Sequence, residues 1–444
     1  MILSIVKWGG KMRIKIDKLF YYMFIFLFPI LPEFTRIAGR ASFEVPIILS
    51  MIATIFCSRR IKDKKVIKYL FWGMMLNIIM YGAHGEWGTV VSATLHCYIV
   101  ILLIYNNIKN EESLIKTIDI LLIAGICMCL EAIIFEWFFN FNIFSLIQTI
   151  SKETNVGAAS LQYRYGHVRV EGSLGQCIPF AMYCLFINFL SIIMLNAKKK
   201  YNITPKLLYK IAYILSIISV VMTGSRMVLV LLVILQCYFA MTLEKGKRSL
   251  IIIGGLVAAI LVYVYTMDDT DASIIMNVIY TVVSIFNPEY YSKLNDGGQN
   301  VSYRLYLFTA LLPSIKQNLL FGLGRSAMST FTFDMKTSVS SWRAYSIDNN
   351  YLAYLVSYGI IGLLGNSYLL WTNIIRIGKK IKKKMKKYMD IYKYCLVILI
   401  LYAIDILAVY QMGEKRIFYV LVGVFLAFNR IVEKKEVNGC NIKK

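Results

Sequence analysis

Apolar runs recur along the whole chain, separated by short polar segments, and about twelve of them reach or approach the ~20 residues that a helix needs to cross a bilayer. They lie near 19–31, 45–57, 69–83, 88–105, 118–138, 176–196, 211–222, 227–243, 250–267, 351–373, 394–410 and 416–429. The pattern predicts an all-α integral membrane protein of about twelve transmembrane helices. One polar excursion breaks the rhythm: a long loop over 268–350, expected outside the membrane and carrying short helices. Within it, Val301, Leu305, Phe308, Leu311 and Leu312 recur at helical spacing, which predicts an amphipathic helix over 300–316 lying along the outer interface. A bend at F-G-L-G-R (Phe321 to Arg325) is expected next, followed by an irregular stretch that leads to Asp348.

Three regions differ in texture. Residues 1–138 read as scaffold helices joined by short loops, and residues 139–373 hold the polar, arginine-bearing outer loops where water-facing chemistry is expected. Residues 374–444 read as a basic inner loop and the last spans. The N-terminal run Met1 to Val6, followed by basic residues and a span with no small-residue cleavage site, reads as part of an uncleaved first helix.

Composition agrees with this pattern: 58% of residues are hydrophobic and 17% charged, with a mean hydropathy of +0.62. A soluble globule with a polar surface is excluded. The formal charge of +24 reflects topology, because Lys and Arg crowd alternate loops: Lys7–Lys18, Arg59–Lys68, Lys198–Lys210, Lys245–Arg248, Arg376–Lys393 and the C-terminal tail. Those faces are expected to be cytoplasmic, with both termini inside. The G-K-K-I-K-K-K-M-K-K run (Gly378 to Lys387) reads as an anchor at an anionic leaflet; it has no aromatic stacking platform, and no nucleic-acid partner is expected. The nine Cys fall almost wholly in expected spans or on the inner side, so no disulfide framework is indicated.

Arginines on the outer side are the clearest chemical signal, since the topology rule depletes basic residues there. Arg169, Arg226, Arg304, Arg325 and Arg343 remain. A guanidinium stays charged and offers phosphate oxygens a planar fork of donors. Arg226 sits in T-G-S-R at a tight turn, where helix N-terminal amides add to anion binding. The competing reading is an arginine snorkelling to lipid headgroups. Asp348, with Asn349, Asn350 and Tyr351, ends the long loop. It reads either as a helix cap or as a base that takes a hydroxyl proton while the amides orient a sugar. Asp405 is expected near the middle of its span, as a structural ion pair or a proton-bearing group. His84, His96 and His167 have no metal-ligand spacing, and neither a metal nor another cofactor is expected.

Three local patterns, in this order, resemble the bacterial O-antigen polymerase and ligase superfamily, the Wzy-type proteins of surface-polysaccharide assembly. They are R-V-E-G-S-L-G-Q (Arg169 to Gln176), T-G-S-R-M-V-L-V-L-L-V (Thr223 to Val233), and the long loop with Arg304, F-G-L-G, D-N-N-Y-L and Y-G-I-I-G-L-L-G (Tyr358 to Gly365). The resemblance implies a metal-independent, membrane-embedded glycosyltransferase acting on undecaprenyl-diphosphate-linked oligosaccharide at the outer face of the bacterial cytoplasmic membrane. It implies that Arg169, Arg226 and Arg304 bind the diphosphate and that Asp348 assists deprotonation of the acceptor hydroxyl; Arg325, Asn349, Asn350 and Tyr351 are further candidates for substrate contacts. Implied partners are the lipid bilayer, a chain-length regulator and a flippase. Ligases of this superfamily carry His-Asn where this chain has Asp348-Asn349, which points toward polymerisation of O antigen, capsule or exopolysaccharide. Glycan ligation, or transport of the lipid-linked sugar, is the alternative.

Overall fold

The computed structural model describes residues 16–32, 45–57, 63–144, 162–164, 167–201, 206–242, 301–325, 333–336, 341–344, 347, 349–382, 388–408 and 415–441. Helices dominate: α1 (Ile16–Ile30), α2 (Val45–Cys57), α3 (Lys64–Gly82), α4 (Trp87–Asn107), α5 (Glu111–Phe138), α6 (Cys177–Tyr201), α7 (Leu207–Met222), α8 (Arg226–Thr242), α9 (Val301–Gln317), α10 (Asn350–Lys382), α11 (Met389–Ala408) and α12 (Lys415–Asn441). Four of them contain stretches long and apolar enough to cross a membrane: Trp87–Asn107, Glu111–Phe138, Cys177–Asn196 and Asn350–Lys382. The protein is an integral membrane protein. The expected span at 250–267 lies outside the described residues, so the count of about twelve is not established.

Local chemistry sets the helix ends. Asp63 caps α3, its Oδ1 accepting from the amides of Lys65 (3.0 Å) and Val66 (3.4 Å). Burial opposes the ionised form of Asp63, but hydrogen bonds from Tyr105 and these amides outweigh it and hold the carboxyl below its usual value. Asn110 and Ser113 form a reciprocal capping box at the start of α5. Within α4 and α5 the segments Thr94–Ile99 and Ala132–Phe138 are π-helical; the second contains Glu136.

At the centre stands α6, whose Phe180, Tyr183, Phe186 and Phe189 are buried and pack into the main core. Fully 89% of its apolar window is enclosed by protein, so its contacts are with helices rather than lipid. Around it lie α5, α7, α8 and α11, with α10 against α3 and α11, and α12 against α4.

Loop contacts sort into two ends. At one end Glu111 pairs with Lys435, Lys380 with Glu433, and Arg430 donates to the carbonyls of Tyr105 and Ile108. Lys206 and Tyr209 reach Asp119 near this same end. From Glu111, the 28 residues of α5 climb about 42 Å to Phe138 at the other end. There His84 meets the Phe321 carbonyl, Tyr358 donates to Glu86, and Arg416 donates to the Leu31 carbonyl. Each of these contacts joins segments that the alternation of basic loops assigns to one face.

Two features depart from the sequence expectations. The stretch before Asp348 is not wholly irregular, because β3 (Phe333–Lys336) and β4 (Ser341–Ala344) pair as an antiparallel hairpin. Asp405 is buried on α11, and the residues that follow Ala408 lie outside the described part of the chain. The helix expected over 351–373 is broken at Gly359 (φ 64°, ψ −158°), where α10 doubles back so that Asn366 donates to Asn350 Oδ1 at 2.5 Å.

That break explains two glycine-rich motifs. The F-G-L-G strand of backbone lies directly on the turn at Gly359: Leu323 N donates to Val356 O (3.0 Å) and Gly324 N to Ser357 O (2.7 Å). In return, Ile360 N donates to Leu319 O (2.9 Å). A Cβ on Gly322 would sit 2.4 Å from Tyr358 N, and one on Gly359 would sit 2.3 Å from the Leu320 carbonyl group. Both residues also hold positive φ, so glycine is required twice over.

Candidate active site at the loop end of the bundle

Two polar clusters form at the end of the bundle where the arginine-bearing loops meet. The first joins the loop before α6 to the turn between α7 and α8. A short hairpin, β1 (Gln162–Arg164) with β2 (His167–Arg169), delivers Arg169 to this turn. Its Nε donates to the Thr223 carbonyl at 2.9 Å, and the next residue's amide, Val170 N, reaches Met222 O at 3.4 Å. Thr223 in turn organises T-G-S-R: its hydroxyl donates to Val220 O (2.6 Å) and accepts from Ser225 N (3.2 Å), while Gly224 takes φ 59°. The first residue of α8 is Arg226.

The other side of this loop is held by a buried carboxylate. Glu136 Oε2 accepts from the amides of Glu171 (2.6 Å) and Gly172 (3.2 Å), and Asn142 donates to Glu136 and to Gly172 O. Gly172 has φ 55°, and a Cβ there would meet Phe180 at 2.9 Å. The R-V-E-G motif is therefore a turn clamped between Glu136 behind and Thr223 ahead, with Arg169 fixed between them. Glu136 falls in the apolar run 118–138, and its place one turn before the loop that leads to Arg169 was the available signal.

The second cluster surrounds the start of α10. Asn349 is buried and its Oδ1 accepts from Leu352 N at 2.9 Å, so the cap in the D-N-N sequence is made by Asn349. Asn350 is fully buried and its Oδ1 is taken by Asn366. Tyr351 OH donates to the Ala403 carbonyl at 3.4 Å. Arg325 is exposed, and its backbone amide donates to Glu86 Oε1 at 3.0 Å. Tyr354, Asn366 and Lys415 complete the cluster, and the sequence reading had assigned none of them a role: Lys415 Nζ lies 3.3 Å from Tyr354 OH and 3.4 Å from Asn366 Oδ1.

Of the expected site residues, Arg169 and the Arg226 turn are brought together, and Asn349, Asn350 and Tyr351 with Arg325 line the second cluster. Arg304 lies on α9, for which the structure fixes the backbone at this position. Asp348 lies outside the described residues. Among the described residues no three His, Cys, Asp or Glu side chains gather as a metal site would require, and none is assigned to one.

Residues 211–366 match the O-antigen ligase family, Wzy_C. The match spans about a third of the chain and supports its resemblance to the O-antigen polymerase and ligase superfamily. No curated protein matches it. The O-antigen ligase match takes in the T-G-S-R turn, Arg304, F-G-L-G and the whole doubled-back part of α10, and begins after Arg169. The matched family suggests a membrane enzyme of the glycan-transferring kind, acting in polysaccharide biosynthesis.

Proposed function

We propose that the protein polymerises undecaprenyl-diphosphate-linked oligosaccharide repeat units into a surface polysaccharide at the outer face of the bacterial cytoplasmic membrane. The observation that carries this reading is the convergence of Arg169 on the Thr223 turn: two loops separated in sequence by more than the length of a span hold a guanidinium against the start of α8, where Arg226 stands. Such a site suits a diphosphate, because helix N-terminal amides and guanidinium groups both favour phosphate oxygens.

In this reading the acceptor sugar's hydroxyl oxygen attacks the anomeric carbon of the donor chain. The bond from that carbon to the phosphate oxygen breaks, and the lipid diphosphate leaves with the electron pair. Arg169, Arg226 and Arg304 stabilise the developing negative charge, as fixed cations in a poorly hydrated site do, so the transfer is metal-independent. Asp348 takes the hydroxyl proton, and its neighbour Asn349 caps the doubled-back helix. The basic end of the bundle faces the cytoplasm and both termini lie there. A flippase supplies the substrate from the inner face, and a chain-length regulator acts on the product.

Deleting the gene and complementing with Arg226→Ala or Asp348→Ala tests this. Each variant is expected to insert normally, to abolish the polysaccharide ladder and to accumulate single repeat units on the outer face. Repeat units held on the cytoplasmic face instead would indicate a transporter, and loss of attachment of finished chains with polymer still made would indicate a ligase. Full laddering with both variants would end the assignment.

A further inference from the structure

The second cluster has more hydrogen-bond donors than acceptors. Lys415, at the first turn of α12, brings three N–H groups. Two of them face Tyr354 OH and Asn366 Oδ1, and the ammonium lies 4.8 Å from the centre of the Tyr354 ring. No carboxylate among the described residues forms an ion pair with it. Asn366 then passes its own amide hydrogen to Asn350 Oδ1. Asn350, with no exposed surface, keeps an Nδ2 that has no partner among the described residues.

A buried amide group without an acceptor is costly, and native proteins rarely keep one without a use. Here one N–H of the half-buried lysine and the amide hydrogens of Asn350 are left over on residues that Asn366 joins, with a positive charge that no carboxylate among the described residues pairs. The chemistry that satisfies this set is an oxygen anion. A neutral sugar hydroxyl would satisfy the donors but leave the charge unpaired.

We propose that Lys415 and Asn350, linked through Asn366, form an oxyanion-binding site that receives a phosphate or carboxylate group of the lipid-linked glycan. That the anion belongs to a glycan carrier rests on the polymerase reading; the donor surplus does not. The site is separate from the Arg169 cluster in that it is built from α10 and α12, and α12 lies beyond the family match. Asn366 positions the other two residues: its carbonyl orients the ammonium and its amide turns Asn350.

Calorimetric titration of the purified full chain in detergent, with inorganic pyrophosphate and separately with glucuronate, tests the proposal. Wild type is expected to bind one of them, pyrophosphate marking a lipid diphosphate and glucuronate a sugar carboxylate. Lys415→Met and Asn350→Ala are each expected to weaken that binding by roughly tenfold or more, while Lys415→Arg stays within a few fold of wild type. Size-exclusion profiles and melting curves confirm that each variant is folded, and Lys415→Arg serves as the folded control if Lys415→Met is not. Binding of neither probe by wild type overturns the site, as does equal binding by wild type and both weakening variants. In complemented cells Lys415→Met is expected to shorten or abolish the ladder; a full ladder despite lost anion binding overturns the site's part in chain growth. Failure of the polymerase reading looks different: Arg226→Ala and Asp348→Ala would then keep the ladder whatever Lys415 does.

Discussion

Glu136 holds two backbone amides and the Asn142 side chain, and through them the turn that carries Arg169. Replacing it with Ala leaves those donors without an acceptor in a buried setting, at a cost of about 2–4 kcal/mol. Glu136→Ala is therefore expected to lower the melting temperature by several degrees in detergent and to reduce chain growth, while Glu136→Gln, which keeps one carbonyl acceptor, falls between. A variant that melts with wild type would show that the turn is held by other means. The meeting of Arg169 with the T-G-S-R turn was foreshadowed in the sequence, because few basic residues fall in the loops expected outside and each of them stands out. Glu136 and Lys415 were not, because a carboxylate in a span and a lysine at a helix start each have an ordinary explanation until their partners in distant segments are known. The partners of Lys415 lie 49 and 61 positions away.

At the level of elements, hydrophobic periodicity located helices well and their shapes poorly. The apolar run at 45–57 coincides with α2, and the runs at 211–222 and 227–243 fall on α7 and α8. The reversal inside α10 was hidden, since Y-G-I-I-G-L-L-G is apolar throughout and a run of hydropathy carries no sign of a change in direction. Only the glycines hinted at it, and their reason lies in a backbone contact with a segment far upstream. Gly322→Ala places a methyl group 2.4 Å from Tyr358 N at a residue with φ 70°, where relief requires moving two backbones. We expect it to cost more than about 3 kcal/mol and to abolish both folded yield and polymer. Gly378→Ala, on the same α10 with nothing within 4 Å of the added carbon, is expected to be neutral or stabilising by up to about 1 kcal/mol. Equal melting of the two variants would mean that the contact at Gly359 does not govern stability.

For the whole molecule, the sorting of loop contacts into two ends is independent of any count of spans. The end with Lys380, Arg430 and Lys435 is expected to face the cytoplasm, and the end with Glu86, Arg325 and Lys415 the outside. A cysteine at position 325 should react with an impermeant maleimide in intact cells, and one at position 379 only after permeabilisation, each judged against the unsubstituted chain; the reverse pattern would invert the orientation and move the active site inside. Four backbone hydrogen bonds fasten Leu319–Gly324 to the turn of α10, and such a seam reads no side-chain identity beyond its glycines. Substitutions between 325 and 347 leave those hydrogen bonds as they are, so the composition of that segment can drift without unfastening the helix beneath.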